Sequence, residues 1–165
     1  MNLPLPLHLS IHLLFSLLAG FSVWSIWKKP LIALIFGFIG GFLIDLDHFI
    51  DYYLAFGGNW QWQYFEKGYQ FLKSGNIYIL FHGWEYVIVL MGLVFLFKSK
   101  VAKTIFLSLA LGIFFHLVTD VFVDNVPAKS YFLIYRLKHN FDIQYIDSSV
   151  NYEKYLIRKS QVKFE

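Results

Sequence analysis

Four long apolar stretches constrain the fold of this 165-residue chain more than any other feature. They cover roughly residues 9–27, 31–53, 77–97 and 103–123. A helix needs about 20 mostly apolar residues to cross a bilayer core. The composition agrees, because 15% of the residues are charged, whereas soluble domains carry about 25%. The sequence therefore predicts an all-α, polytopic membrane protein with about four transmembrane helices.

The remaining segments predict a simple domain organisation. Residues 1–125 form the predicted four-helix transmembrane domain, and residues 126–165 form a small peripheral C-terminal tail. The loop before the third stretch is rich in Trp and Tyr, which is typical of the headgroup region, and its spacing predicts a short interfacial helix. In the tail, KHNFDIQYID favours a short strand and NYEKYLIRKSQVKF an amphipathic helix. Arg136 and Lys138 are candidate contacts for a phosphate headgroup.

The short connections between the stretches indicate an orientation. WKKP joins the first two stretches and KSKVAK joins the last two, and both are basic. The positive-inside rule places such loops in the cytoplasm. The N-terminus, the loop 54–76 and the tail would then lie outside, although the tail itself holds seven Lys or Arg.

Composition also excludes several function classes. The chain has no cysteine, so neither a disulfide framework nor a thiolate metal site is available. Its net charge is +3 and the basic residues are scattered, which argues against a nucleic-acid partner.

The ionisable side chains of the stretches lie in one layer of the membrane. At a rise of about 1.5 Å per residue, Asp45 and His116 lie roughly 20 Å above the cytoplasmic end of a core about 30 Å thick. The same rise places His12 and His82 within roughly 10 Å of the outer edge. All four helices therefore converge on the outer layer. The full set comprises His12, Asp45, Asp47, His48, Asp51, His82, Glu85, His116 and Asp120, with His8 and Asp124 at the edges.

These carboxylates need a counter-charge, because an ionisable group in lipid costs at least about 2.5 kcal/mol. No Lys or Arg lies between Pro30 and Glu66. Protons or a divalent cation would neutralise the cluster, and His with carboxylate suits Zn²⁺, with Mn²⁺ or Fe²⁺ as alternatives. We expect one to three ions. The predicted ligands are His12, Asp45, Asp47, His48, His82, His116 and Asp120.

Two further carboxylates, Asp51 and Glu85, are predicted catalytic residues. Either would act as the general base, orient a metal ligand through a hydrogen bond, or ligate the metal itself. Four glycines, Gly37, Gly40, Gly41 and Gly112, are predicted to allow close helix approach.

The segments GGFLIDLDHFID, LFHGWE and LGIFFHLVTD resemble, in that order, a family of bacterial membrane-bound metal-dependent hydrolases, typified by a LexA-regulated inner-membrane protein. The family pattern corresponds here to His12 or His8, then Asp45-Leu46-Asp47-His48, His82-Gly83, and Gly112 through His116 to Asp120. The resemblance covers roughly residues 8–125. Two positions depart from the family pattern. This chain has Ile44 where the family usually has Pro, and Gly83 where the family often has Ser.

The resemblance implies a function. The ligand pattern of the family is similar to that of zinc-dependent phospholipase C enzymes, which implies phosphoester hydrolysis at a multinuclear metal site. The resemblance also implies the bacterial inner membrane. The orientation given by the basic connections puts the site near the outer leaflet, and a site at that depth suits a phospholipid or lipid-linked phosphate as substrate. A zinc-dependent lipid amidase of ceramidase type is the enzymatic alternative. A non-enzymatic metal scaffold or carrier is the other alternative, and the apolar cytoplasmic half disfavours a carrier.

Overall fold

The computed structural model describes residues 4–164, and in that range the protein is built from helices. Asn76 and Asp142 form one isolated β-bridge, and no strand forms among the described residues. The helices are α1 (Leu5–Trp27), α2 (Pro30–Gly41), α3 (His48–Phe56), α4 (Trp62–Glu66), α5 (Tyr69–Ser74), α6 (Trp84–Leu96), α7 (Lys100–Val123), α8 (Leu133–Lys138), α9 (Ile143–Ile146) and α10 (Ser149–Gln161), with 3₁₀ turns at Leu43–Asp47 and Ala128–Tyr131.

Local signals explain where the long helices begin and end. Pro30 occupies the first position of α2, where its missing N–H costs nothing. The Ser99 side chain accepts a hydrogen bond from the Ala102 amide at the start of α7. Helix α1 ends at Trp27, because Lys28 adopts a left-handed conformation with φ of 56°.

The number of candidate membrane spans is two to three by length and composition. Helices α1 and α7 are each long and apolar enough to cross a bilayer. Helices α2 and α3 count as a third span if the pair, bent by 44°, is one crossing. Helix α6 is apolar but has 13 residues, which is about 20 Å at the helical rise. The structure therefore supports a membrane protein, and it does not show four spans.

The second predicted span is interrupted at its acidic end. Helix α2 stops at Gly41, and a 3₁₀ turn carries the chain to α3. The Gly40–Gly41 pair has low helix propensity, and the Gly41 carbonyl accepts a hydrogen bond from His116 Nδ1 instead of extending the helical ladder. The single helix expected over residues 31–53 is thus wrong. The break also places Asp45 and His48 on one side of the tight turn.

Glycines bring α1, α2 and α7 into backbone contact, as predicted. A Cβ on Gly37 would lie 2.8 Å from the Gly20 nitrogen in α1. A Cβ on Gly112 would lie 2.7 Å from the Gly37 carbonyl oxygen. A Cβ on Gly40 would lie 2.6 Å from the Leu109 carbonyl oxygen in α7. The three helices therefore pack at distances that no larger residue at these positions permits.

The aromatic loop forms the predicted helix in two short pieces. Helices α4 and α5 are separated at Gly68, which has φ of 65°. The Tyr52 hydroxyl accepts a hydrogen bond from the Gln61 amide at 2.8 Å, which ties the loop to α3. Phe49 stacks on Phe65 with ring centroids 4.7 Å apart.

The C-terminal segment makes backbone contacts with the segment that precedes α6. The Ile77 amide donates to the Phe141 carbonyl, and the Ile143 amide donates to the Gly75 carbonyl. The region 138–147 contains α9 in place of the predicted strand, since the Asp142 side chain caps a helical turn by accepting from the Gln144 amide. The predicted amphipathic helix is present as α10.

Candidate metal centre

Histidine and aspartate side chains from four parts of the chain meet at one end of the bundle. Helix α1 supplies two of them, the 3₁₀ turn and the start of α3 supply two, the segment before α6 supplies one, and α7 supplies two. They form four overlapping groups in which the candidate ligand atoms lie within 4.8 Å of one another. The seven residues are His8, His12, Asp45, His48, His82, His116 and Asp120.

The ligand atoms of four of these residues lie 3.0–3.7 Å apart in five pairs, close to the ligand spacing of a tetrahedral metal shell. His82 Nε2 and His116 Nε2 are 3.0 Å apart, and Asp45 Oδ1 is 3.3 Å from each of them. Asp120 Oδ2 is 3.2 Å from His116 Nε2 and 3.7 Å from His82 Nε2. Zinc bonds of 2.0–2.1 Å imply ligand–ligand distances of about 3.3–3.4 Å in a tetrahedron. We call this set the His82–His116 group.

The hydrogen bonds of Nδ1 in His82 and His116 determine which ring nitrogen faces the centre. His82 Nδ1 lies 2.9 Å from Asp47 Oδ2, and His116 Nδ1 lies 3.0 Å from the Gly41 carbonyl oxygen. A carboxylate and a carbonyl accept hydrogen bonds, so each Nδ1 is the donor. In the neutral rings, each Nε2 then presents a lone pair to the carboxylates of Asp45 and Asp120. Four electron-rich atoms then converge, and a proton or a divalent cation would neutralise them.

A second group shares Asp120 with the first. His12 Nε2 lies 3.1 Å from Asp120 Oδ1 and 2.7 Å from His8 Nε2. Because Asp120 presents Oδ2 to the His82–His116 group and Oδ1 to this pair, its carboxylate lies between two candidate metal positions. His48 extends the cluster on another side, with its Nε2 3.6 Å from Asp45 Oδ1.

One unpaired buried atom supplies a test of whether a metal fits. Asp120 Oδ1, the atom that faces His12 Nε2, is buried without a hydrogen-bond partner of good geometry, although most buried polar atoms in proteins have one. A donor set of imidazole and carboxylate without thiolate matches Zn²⁺, Mn²⁺ or Fe²⁺. The residues present therefore fit one or more divalent ions, whose identity the donor set does not distinguish.

Asp47 supports this centre from behind and belongs to none of its ligand groups. Its Oδ2 accepts from His82 Nδ1 and from the Phe81 amide at 2.6 Å. This is the arrangement in which a carboxylate orients a ligating histidine. The structure thus places Asp47 behind His82, while its Oδ1 is buried without a hydrogen-bond partner and its metal bond stays a prediction.

Asp51 and Glu85, the predicted catalytic residues, both bind backbone amides. Asp51 accepts from the amides of Tyr78 and Ile79 at 2.8 and 3.0 Å. Glu85 accepts from the amides of residues 133 and 134 at 3.0 Å, at the start of α8. Neither carboxylate belongs to a ligand group, so the structure places both outside the cluster and engages all four oxygens.

Arg136 is a buried cation that the sequence analysis assigned to the surface. It is fully buried, and its guanidinium donates to the carbonyls of Ser130, Ile79 and His82 at 2.9, 3.0 and 2.8 Å. Burial lowers the pKa of Arg136, whereas the nearby Asp47 and Glu85 carboxylates raise it. Arginine remains charged in proteins. The positive charge of Arg136 therefore lies near Asp47 of the 3₁₀ turn, although the two residues are far apart in the sequence.

His8 also has a larger part in the cluster than its edge position suggested. The signal in the sequence was its i,i+4 spacing to His12, which places both rings on one face of α1. Asp124 caps the end of α7 and is not in a ligand group.

The chain matches no protein-family model, no curated protein and no solved structure.

Proposed function

We propose that this protein is a membrane-embedded, metal-dependent hydrolase that cleaves a phosphoester of a phospholipid or lipid-linked phosphate. One observation carries the proposal: in the His82–His116 group two imidazole nitrogens lie 3.0 Å apart, and one oxygen each of Asp45 and Asp120 lies 3.2–3.7 Å from both nitrogens. That group would hold one ion. His8 and His12 would hold a second ion, and Asp120 would bridge the two.

Divalent metal at such a centre lowers the pKa of water to about 7 and polarises a phosphoryl oxygen. The chain's own residues prepare the site for this chemistry. Asp47 and the Gly41 carbonyl keep the proton on Nδ1 of His82 and His116, which leaves each Nε2 free to ligate. His48, with 31% of its side chain exposed, is placed to accept the proton of the attacking water, since Asp51 and Glu85 are engaged elsewhere.

The membrane arrangement that we propose has four crossings. Helix α6 is short, and the non-helical segment 77–83 before it would complete the third crossing. Irregular backbone is tolerated at membrane depth where protein groups satisfy it, and Asp47, Asp51 and Arg136 bind the polar groups of this segment. The basic connections would face the cytoplasm, which puts the metal centre near the outer leaflet of a bacterial inner membrane.

The resemblance to membrane-bound metal-dependent hydrolases supports the same chemistry. A centre of this kind would also serve a zinc-dependent lipid amidase, or act as a metal-stabilised scaffold without turnover. The products separate these alternatives, because phosphoester cleavage releases a phosphate compound and amide cleavage releases a fatty acid.

The first test is elemental analysis of the protein purified in detergent. We expect wild type and His139→Ala to carry one to two equivalents of divalent metal, and His116→Ala to lose most of it. His139 is the matched control because it is the remaining one of six histidines and is absent from the ligand groups. Wild type without metal after supplementation would contradict the proposal.

The second test incubates the metal-loaded protein with a bacterial lipid extract. We expect release of a phosphate-containing headgroup or of inorganic phosphate, abolished in His116→Ala. Fatty-acid release would favour the amidase. Intact lipids with metal bound would favour the scaffold.

A further inference from the structure

A cavity of about 670 Å³ adjoins the candidate metal centre. Its boundary is formed by the start of α1, the connection between α4 and α5, and one face of α10. His8 and Asp124 line it at the end near the cluster. The middle of its wall is apolar and comprises Phe71, Leu72, Ile77, Val126 and Ile143.

A smaller cavity of about 110 Å³ continues from the first towards His48. The two cavities share four lining residues, Phe71, Ile77, Val126 and Asp147. His8 and His48 are also the most exposed histidines of the cluster, at 19% and 31% of their side chains. The cavities therefore lie against the accessible side of the metal centre, where a substrate must arrive.

Three basic side chains line the far side of the larger cavity. Lys67, Lys154 and Arg158 are all exposed at its rim. Lys154 and Arg158 lie one turn apart on α10 and so share a face. The Arg158 guanidinium donates to the Lys67 carbonyl at 2.7 Å, which holds the loop and the helix together.

The carboxylates of the same cavity are distributed differently. Glu66 is exposed at the rim, whereas Asp124 and Asp147 lie inward. Asp147 Oδ1 accepts from the Ser148 amide and from Asn151 Nδ2 at 2.7 and 2.8 Å, and burial raises the pKa of Asp147. The rim therefore carries a net positive charge, and the same cavity is lined by apolar side chains and by His8 of the candidate metal centre.

We propose that these cavities bind the polar portion of a lipid substrate that carries two anionic groups. One is the phosphoester at the metal centre, and the other is a terminal anionic group held by Lys67, Lys154 and Arg158. This inference rests on the proposed hydrolase function. Its physical basis is charge complementarity, because a metal centre neutralises only the phosphate that it binds, and a second cationic site selects a second negative charge.

The test compares two soluble probes, hexyl phosphate and hexane-1,6-diol bisphosphate, on the metal-loaded protein in detergent. Affinities are measured by isothermal titration calorimetry. We expect wild type to prefer the bisphosphate by roughly five- to tenfold, since each exposed charge pair contributes modestly. The double variant Lys154→Gln/Arg158→Gln should bind both probes alike and retain its metal.

The matched control is Lys129→Gln/Lys163→Gln, which removes two exposed basic residues that do not line the cavity and should keep the preference. Equal affinity of wild type for the two probes, or a preference that survives in the Lys154→Gln/Arg158→Gln variant, would overturn the cavity assignment and leave the metal centre intact. Absence of metal from wild type would instead overturn the proposed function.

Discussion

At the scale of single residues, the geometry of the candidate metal centre depends on the residues that hydrogen-bond to its histidines as well as on the histidines themselves. His82 is held by Asp47 at its Nδ1 and by Arg136 at its backbone carbonyl. Asp51 fixes the amides of Tyr78 and Ile79 in the same segment. Ile79 has φ of 31°, an uncommon value for a β-branched residue. The segment is therefore held in a conformation that its own residues would not select.

Replacing Asp47 by Asn should weaken metal binding without unfolding the protein. Asn keeps the size of the side chain but presents a neutral acceptor to His82 Nδ1, so the ring is oriented less firmly. Loss of such a supporting contact lowers metal affinity by about 10- to 100-fold. Competition against a chromophoric chelator measures the change. Glu153→Gln, an exposed carboxylate on α10, is the control, and equal affinities for the two variants would contradict the assigned role.

At the scale of elements, the tail and the segment before α6 form one unit. Arg136 in α8 donates to two carbonyls of that segment, while Glu85 in α6 accepts from the first amides of α8. These reciprocal contacts explain why α8 is attached to the bundle end. They also make the geometry of His82 dependent on a helix more than 50 residues away in sequence.

Arg136→Met should destabilise the protein and loosen its metal. The substitution leaves three buried carbonyls without their donor, and each unsatisfied group costs about 1–3 kcal/mol. We expect a loss of at least about 3 kcal/mol in the free energy of unfolding, seen as a lower midpoint of thermal unfolding in detergent. Lys138→Met, exposed on the same helix, should change that free energy by less than about 0.5 kcal/mol. Similar midpoints for both variants would contradict this structural role of Arg136.

The contact of α1, α2 and α7 yields a second prediction at this scale. A Cβ at position 112 would meet the Gly37 carbonyl oxygen at 2.7 Å and the Gly41 nitrogen at 2.8 Å. Gly112→Ala must therefore push α7 away from α2, at a cost of about 1–3 kcal/mol for overpacking. Because His116 follows one turn later, its hydrogen bond to Gly41 should also suffer, and metal content should fall.

The control for that variant is Gly92→Ala in α6. A Cβ at Gly92 meets nothing within 4 Å, and Ala has the higher helix propensity. Gly92→Ala should leave the unfolding midpoint and the metal content at wild-type values or raise the midpoint slightly. A Gly112→Ala variant that behaved in the same way would show that the helices do not need this close approach.

At the scale of the whole molecule, the centre joins helices that have few other polar contacts. Metal bound only by the folded state stabilises it in proportion to its occupancy. Stripping wild type with a chelator should lower the thermal unfolding midpoint by several degrees, and added Zn²⁺ should restore it. The effect should shrink as the pH is lowered, because protons compete with metal for the imidazoles. His116→Ala should not respond to the chelator, and an equal response would place the metal elsewhere.

Local properties of the sequence were sufficient for part of this description. Run length and hydropathy identified the apolar segments, and the helical rise placed His12, His82 and His116 at a common depth. The absence of cysteine narrowed the donors to imidazole and carboxylate. Gly37 and Gly112 were recognisable as contact points. Each of these properties is carried by residues near one another in the chain, so a single sequence expresses it.

Only the tertiary structure determined the contacts, and hence the role, of each carboxylate. Asp45, Asp47 and Asp51 occur within seven positions, yet Asp45 faces the candidate metal centre, Asp47 contacts His82 and Asp51 binds the backbone of a distant loop. The break at Gly41 and the burial of Arg136 likewise depend on partners 75 and 54 residues away. A side chain's role follows from the groups that share its surroundings, and folding brings those groups from parts of the chain that no local pattern relates.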